Sequence, residues 1–155
     1  MQVFIVGAGP GDPELITVKG QRLLKKADVI IYAGSLVNPA ILNVAKAGAE
    51  IFNSASMTLP EVIEKIEEAV QNGKIVVRLH TGDPAIYGAI QEQMDELKKR
   101  KIAFEVVPGV SSFLATAAAL RQEYTLPDIS QTVIVTRNEG RTPVPERESL
   151  RSLAA

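Results

Sequence analysis

Short β-branched apolar runs alternate with longer amphipathic segments along most of the chain. The runs are Val3–Val6, Val29–Tyr32, Glu50–Phe52, Ile75–Leu79 and Phe104–Val107. Most are apolar at nearly every position, as strands buried on both faces are, and not alternating as one-sided strands would be. Between the third and fourth runs, Val62, Ile63, Ile66, Ala69 and Val70 recur at helical spacing, with Glu61, Glu64, Lys65, Glu67 and Glu68 on the other face. Asn72-Gly73 supplies residues able to take left-handed angles and ends that helix. Ile90, Met94 and Leu97 repeat the device, and Lys98-Lys99-Arg100-Lys101 places cations at the negative end, where they read as a solvated helix terminus. The Ala-rich segment from Ser111 to Leu120 predicts a tightly packed helix after the fifth strand.

Strands alternating with helices predict an α/β fold, with a parallel sheet between two helical layers over residues 1–121. Residues 122–131 then form a polar linker carrying a Leu126-Pro127-Asp128 turn. Thr132–Thr136 predicts a new strand, Arg137–Pro145 a charged loop, and Glu146–Ala155 an amphipathic helix. A lone strand and helix cannot enclose a core, so 132–155 reads as the truncated start of a second α/β domain.

Composition narrows the function. Seventeen Lys+Arg against eighteen Asp+Glu leave a charge of −1, which excludes a general electrostatic grip on nucleic acid or an anionic membrane. With no Cys there are no disulfides, thiolate metal sites or Cys nucleophiles, and one His rules out a multi-histidine zinc centre. No metal site is expected. No apolar run approaches the ~20 residues of a membrane span, and Met1-Gln2-Val3-Phe4 lacks a basic leader, so a cytoplasmic protein is expected. No Trp and 5% aromatic residues leave no stacking platform for single-stranded nucleic acid.

Three Gly/Pro-rich loops each follow a predicted strand and precede a predicted helix: Gly7-Ala8-Gly9-Pro10-Gly11-Asp12-Pro13, Thr81-Gly82-Asp83-Pro84 and Pro108-Gly109-Val110-Ser111-Ser112. Parallel strands would gather all three at one sheet edge, where open α/β folds bind ligands. The first is not a dinucleotide loop: its third glycine is replaced by Asp12, which repels pyrophosphate, and Pro10 removes a backbone N–H. No Gly-Lys-Ser/Thr phosphate loop occurs. Asp12 and Asp83 suit a ligand bearing positive charge or hydroxyl donors, or else cap the turns that follow them. Ser111 and Ser112 offer hydroxyls and a helix N-terminus, or a cap. His80, without a partner acid nearby in sequence, reads as a hydrogen-bonded strand-end residue. No Ser-His-Asp arrangement can be assembled, and no catalytic residue is assigned.

The sequence resembles the tetrapyrrole methylases, which transfer methyl groups from S-adenosylmethionine to uroporphyrinogen- and precorrin-type rings. The resemblance rests on Val6–Thr17, Gly82-Asp83-Pro84-Ala85-Ile86-Tyr87-Gly88 and Val107–Ser112 together. Ala33-Gly34-Ser35-Leu36-Val37 and Thr136–Pro143 resemble the branch that methylates C11 of precorrin-4 or cobalt-precorrin-4; Thr81 stands where the uroporphyrinogen-III branch usually has Gly. The resemblance implies two α/β domains with S-adenosylmethionine in the cleft between them, S-adenosylhomocysteine as product, and homodimers. It implies that Pro10, Thr81, Gly82, Asp83, Ile86, Ser111 and Ser112 line the cofactor site. Asp12, Arg137 and Arg141 are expected at the tetrapyrrole substrate, the arginines because guanidinium matches its carboxylates. Two other readings stay open: methylation of uroporphyrinogen III, and a non-catalytic nucleotide-binding module.

Overall fold

The apolar runs find each other in a computed structural model that describes residues 3–34, 36–140 and 142–154. Strands β1 (Val3–Gly7), β2 (Val29–Tyr32), β3 (Glu50–Asn53), β4 (Val76–His80) and β5 (Phe104–Val107) form one parallel sheet in the order β3-β2-β4-β1-β5. Helices α1 (Val18–Lys26), α2 (Leu59–Gln71), α3 (Ile90–Lys99) and α4 (Ser112–Leu120) follow the strands as crossovers. Contacts divide the chain into two units, Met1–Thr116 and Ala117–Ala155.

In the first unit the two sheet faces have separate cores. Leu23 and Leu24 of α1 pack with Val6, Ile30, Val77 and Leu79. On the other face, Val62, Ile63 and Ile66 of α2 and Leu97 of α3 pack with Val3, Val29, Ile31 and Val76. The expected three layers follow from alternate strand residues pointing to opposite sides. Leu24, fully buried, contributes about 1.5–3 kcal/mol by removal from water. Helix ends obey their caps. Thr17 accepts from the Gly20 N–H at 3.1 Å. At the start of α2, Glu61 accepts from the Thr58 N–H at 2.6 Å while Thr58 accepts from the Glu61 N–H, a reciprocal capping box. Gly73, at φ 78°, ends the turn after α2 as Asn72-Gly73 predicted.

Three local expectations fail. The helix after β4, expected from near Ala85, starts at Ile90, because Tyr87 (φ 55°) and Ala89 (φ 49°) hold left-handed backbone that no helix can contain. The helix from Ser111 forms but is not tightly packed: α4 buries no residue, and Leu114 and Leu120 are 53% and 64% exposed. In the second unit, Thr132–Thr136 does not form a strand. Val133, Ile134 and Val135 are 46%, 58% and 43% exposed, so the run lacks the apolar cover that favours a β ladder. The same unit contains a Leu126–Ser130 bridge, a single turn at Glu146–Glu148 and the short α5 (Leu150–Leu153). Ser149 breaks the expected helix between them, accepting from the Ser152 N–H at 3.2 Å.

Candidate functional site

Because every strand runs the same way, Gly7, Tyr32, Asn53, His80 and Val107 all end at one edge of the sheet. The connection from β1 leaves through α1 on one face, and that from β4 leaves through α3 on the other. The two strands are neighbours, with Gly7 in register with His80, so the edge between them is the reversal point at which open α/β sheets bind ligands.

The three glycine loops meet there. The Gly9 N–H donates to the Gly82 carbonyl at 3.2 Å, and the Gly82 N–H donates back at 2.8 Å. A Cβ at Gly7 would stand 2.5 Å from the Gly82 carbonyl oxygen and 2.6 Å from the Gly109 Cα, so only hydrogen fits where the three backbones touch. Asp83 joins the second loop to the third: Oδ1 accepts from the Ala85 N–H at 2.8 Å and Oδ2 from the Gly109 N–H at 3.0 Å. Asn38, in the loop after β2, donates to the Gly11 carbonyl at 2.7 Å and ties a fourth loop to the rim.

Pro10 and Thr81 are half-buried on this rim, Gly82 and Ser111 buried, and Ile86 and Ser112 exposed. Asp12 caps the turn Pro13–Leu15 by accepting from the Glu14 N–H at 2.9 Å, the capping alternative of its two readings. Arg137 lies in the second unit, where its guanidinium donates to the Asn138, Thr142 and Pro143 carbonyls and to the Thr142 hydroxyl. Those bonds fold the arginine into its own loop. Arg141 and Ser35 lie outside the described residues.

Beneath the second loop sits a polar cluster that sequence reasoning missed. Arg78 and Gln93 are buried; the Arg78 Nε–H donates to Gln93 Oε1 at 3.1 Å and Nη1–H to the Ile31 carbonyl at 3.1 Å. Gln93 Nε2 donates onward to the Ala89 carbonyl at 3.1 Å, bracing the left-handed residue that precedes α3. Burial lowers Arg78 to about 10. His80, buried beside this cluster, is lowered to about 3 by desolvation first and then by the Arg78 charge, with Gln93 opposing. It is therefore neutral at pH 7, and its Nε2 has no hydrogen-bond partner among the described residues. A general base needs a pKa near the working pH, so His80 as it stands is a strand-end residue. Two signals marked the cluster: Arg78 inside an apolar run, and Gln93 three residues after Ile90 on the buried face of α3.

The rim's chemistry is one-sided. Residues 8–13, 81–89 and 108–112 hold two carboxylates, Asp12 and Asp83, and no Lys or Arg, which suits a cationic ligand with hydroxyl donors. Gly11, at φ 119°, has nothing within 4 Å of where a Cβ would stand, so the rim is open beside the contact. Among the described residues no cluster of His, Cys, Asp or Glu is arranged to hold a metal, and no helix is long and apolar enough to cross a membrane.

The family model of tetrapyrrole (corrin/porphyrin) methylases matches residues 2–155. A cobalt-precorrin-4 C(11)-methyltransferase of Methanocaldococcus jannaschii is 63% identical over 153 residues, covering 99% of this chain and 59% of the relative. The X-ray structure of a cobalamin biosynthetic enzyme, cobalt precorrin-4 methyltransferase, superposes with a TM-score of 0.95 at 55% identity, over 99% of this chain and 64% of that one. A uroporphyrin-III C-methyl transferase of Thermus thermophilus complexed with S-adenosyl homocysteine is more distant: 38% identity, TM-score 0.65, 76% of this chain and 48% of that one. The chain thus spans about three fifths of the length of the first two.

Proposed function

This chain belongs to the tetrapyrrole (corrin/porphyrin) methylase family, and from that membership we propose that it is a methyl-donor half of an S-adenosylmethionine-dependent C-methyltransferase. The acceptor is C11 of cobalt-precorrin-4 or precorrin-4, in cobalamin synthesis, and the enzyme works as a homodimer in the cytoplasm. Residues 1–121 serve as the N-terminal domain, 122–131 as linker and 132–155 as the start of the second domain. The change of contact unit after Thr116 supports that division.

The observation that carries the reading is the convergence of the three loops through the Gly9–Gly82 and Asp83–Gly109 hydrogen bonds. S-adenosylmethionine, when bound, supplies a methyl group on a positively charged sulfur whose departure leaves a neutral thioether. Pro10, Thr81, Gly82, Asp83, Ile86, Ser111 and Ser112 form this half of its site. The carboxylate-bearing, cation-free rim favours the sulfonium and amine, the Ser111 and Ser112 hydroxyls meet polar groups, and the exposed Ile86 covers apolar surface and keeps water out. Such a transfer needs orientation of donor and acceptor more than a nucleophile of the protein, which agrees with a rim that assembles no catalytic triad. Asp12, Arg137 and Arg141 contact the acceptor, the arginines through its carboxylates.

The test incubates the chain, and the chain extended to its relatives' length, with methyl-labelled S-adenosylmethionine and either cobalt-precorrin-4 or uroporphyrinogen III. Label should pass to cobalt-precorrin-4, at C11, in the longer protein. Transfer only to uroporphyrinogen III rejects the C11 reading. Absence of S-adenosylhomocysteine binding by both proteins rejects the enzyme reading and favours a non-catalytic module.

A further inference from the structure

We propose that the Asp83 carboxylate is a positioning group: it holds the second and third glycine loops in register and acts on the ligand only through them. This deepens the methyltransferase reading and rests on it for the identity of the ligand.

Asp83 sits in the loop after β4, at a place where a carboxylate facing a cationic ligand would be read as a direct contact. The geometry assigns it elsewhere. One oxygen accepts from the Ala85 N–H, two residues on, and fixes the turn that leads into the left-handed Tyr87 and Ala89. The other accepts from the Gly109 N–H, 26 residues away on a different loop. That second bond spans the point where the Gly82 carbonyl is packed against both Gly7 and Gly109 without room for a methyl group. Three backbones in such contact need a bond that sets their register, because close packing alone is non-directional. Bonds to a charged acceptor are the stronger ones, and here a single carboxylate satisfies an amide of each loop. Gly109 is only partly buried, so its N–H would otherwise face solvent or ligand. Ser111 and Ser112, two and three residues further on, inherit their position from this bond.

A direct contact and a positioning group predict different losses. If Asp83 touched the amine or the ribose hydroxyls, analogues lacking those groups would be indifferent to its removal. If it holds the loops, every analogue loses equally, and the loops loosen with no ligand present. The variant is Asp83→Asn, whose amide can accept one N–H but must turn an NH₂ toward the other. Three probes are titrated calorimetrically: S-adenosylhomocysteine, 5′-methylthioadenosine, which lacks the amino-acid tail, and a methylthioadenosine without ribose hydroxyls. Amide exchange at Gly109 is followed in the free protein.

The expected result is about tenfold or faster Gly109 exchange in the variant, with all three ligands weakened by one common factor. Unchanged exchange overturns the proposal, and so does weakening confined to ligands that keep the amine or the hydroxyls. If the wild-type chain binds none of the probes, the methyltransferase reading fails while the exchange measurement still decides the role of Asp83. If Asp83→Asn does not fold, the wild-type Gly109 amide decides: slow exchange in the free protein upholds the bond, and exchange at the rate of an open loop refutes it.

Discussion

Replacing Gly7 by alanine places a methyl group where three backbones meet. The new Cβ would stand 2.5 Å from the Gly82 carbonyl oxygen and 2.6 Å from both Cα and N of Gly109. Ordinary van der Waals contact begins near 3.4 Å, so the second and third loops must each retreat by about 0.8–0.9 Å. Neither neighbour is a flexible side chain that can swing away. Forced overpacking costs about 1–3 kcal/mol. The retreat also stretches the paired Gly9–Gly82 bonds, now 3.2 and 2.8 Å, each worth about 0.5–1.5 kcal/mol. The sum is about 2–6 kcal/mol, a large share of the roughly 5–15 kcal/mol that holds a domain folded. Two controls separate crowding from the loss of glycine as such. Gly48 has φ +80° and nothing within 4 Å of its Cβ position, so alanine there costs only the left-handed strain of about 1–2 kcal/mol. Gly140 has nothing within 4 Å either and no left-handed φ, so alanine there is expected within about 0.5 kcal/mol of neutral. Urea unfolding followed by far-UV circular dichroism measures all three. A Gly7→Ala variant no less stable than Gly48→Ala would refute the claim that the loops are in contact.

Two further outcomes follow from buried and capping groups. His80 is the chain's one histidine, and folding lowers it from 6.5 to about 3, so the unfolded chain binds a proton that the folded one refuses. Its contribution to stability is whole above pH 6.5 and falls as pH drops toward about 3, with a slope of at most about 1.4 kcal/mol per pH unit. His80→Leu should flatten the stability profile between pH 6.5 and 5, above the range where carboxylates titrate, and an unchanged slope there would contradict the burial. Thr58→Ala removes one half of the capping box of α2 and should lower stability by about 1 kcal/mol at pH 7. Bonds from the Thr58 N–H and then its hydroxyl hold Glu61 below its ordinary value, so the box stabilises above about pH 4.5 and weakens as pH falls through the lowered value. The variant's acid limb should be shallower, and equal curves for the two proteins would show the hydroxyl to be idle.

What the sequence made legible was whatever repeats locally. Each run of β-branched residues announces its strand, and Val62, Ile63, Ile66 and Ala69 announce the buried face of α2, because burial acts position by position on a fixed period. The Thr132–Thr136 run shows the limit of that signal. Its letters are as strand-like as those of β2, yet a strand exists only where a neighbour offers its ladder, and β-propensity measures fit to a covered surface. The helix after β4 failed in the opposite sense. Pro84, Ala85 and Ile86 allow a helix, but Gln93, reached by the buried Arg78, braces the Ala89 carbonyl and delays the first turn until Ile90.

The candidate site divides along the same line, between what a residue is and what it is paired with. Glycine loops after parallel strands predict a shared edge from topology alone, and the Gly9–Gly82 pairing realises it. Which atom each carboxylate serves cannot be read from spacing, because Asp12 and Asp83 each precede a turn and each caps a nearby N–H, at Glu14 and at Ala85. They part only at the second oxygen of Asp83, which reaches Gly109 across 26 residues of sequence. That reach exists because β4 and β5 flank β1, so the loops after all three strands share one rim. The role of Asp83 is thus a property of strand order, and a substitution that shifted β5 should abolish it without touching either residue.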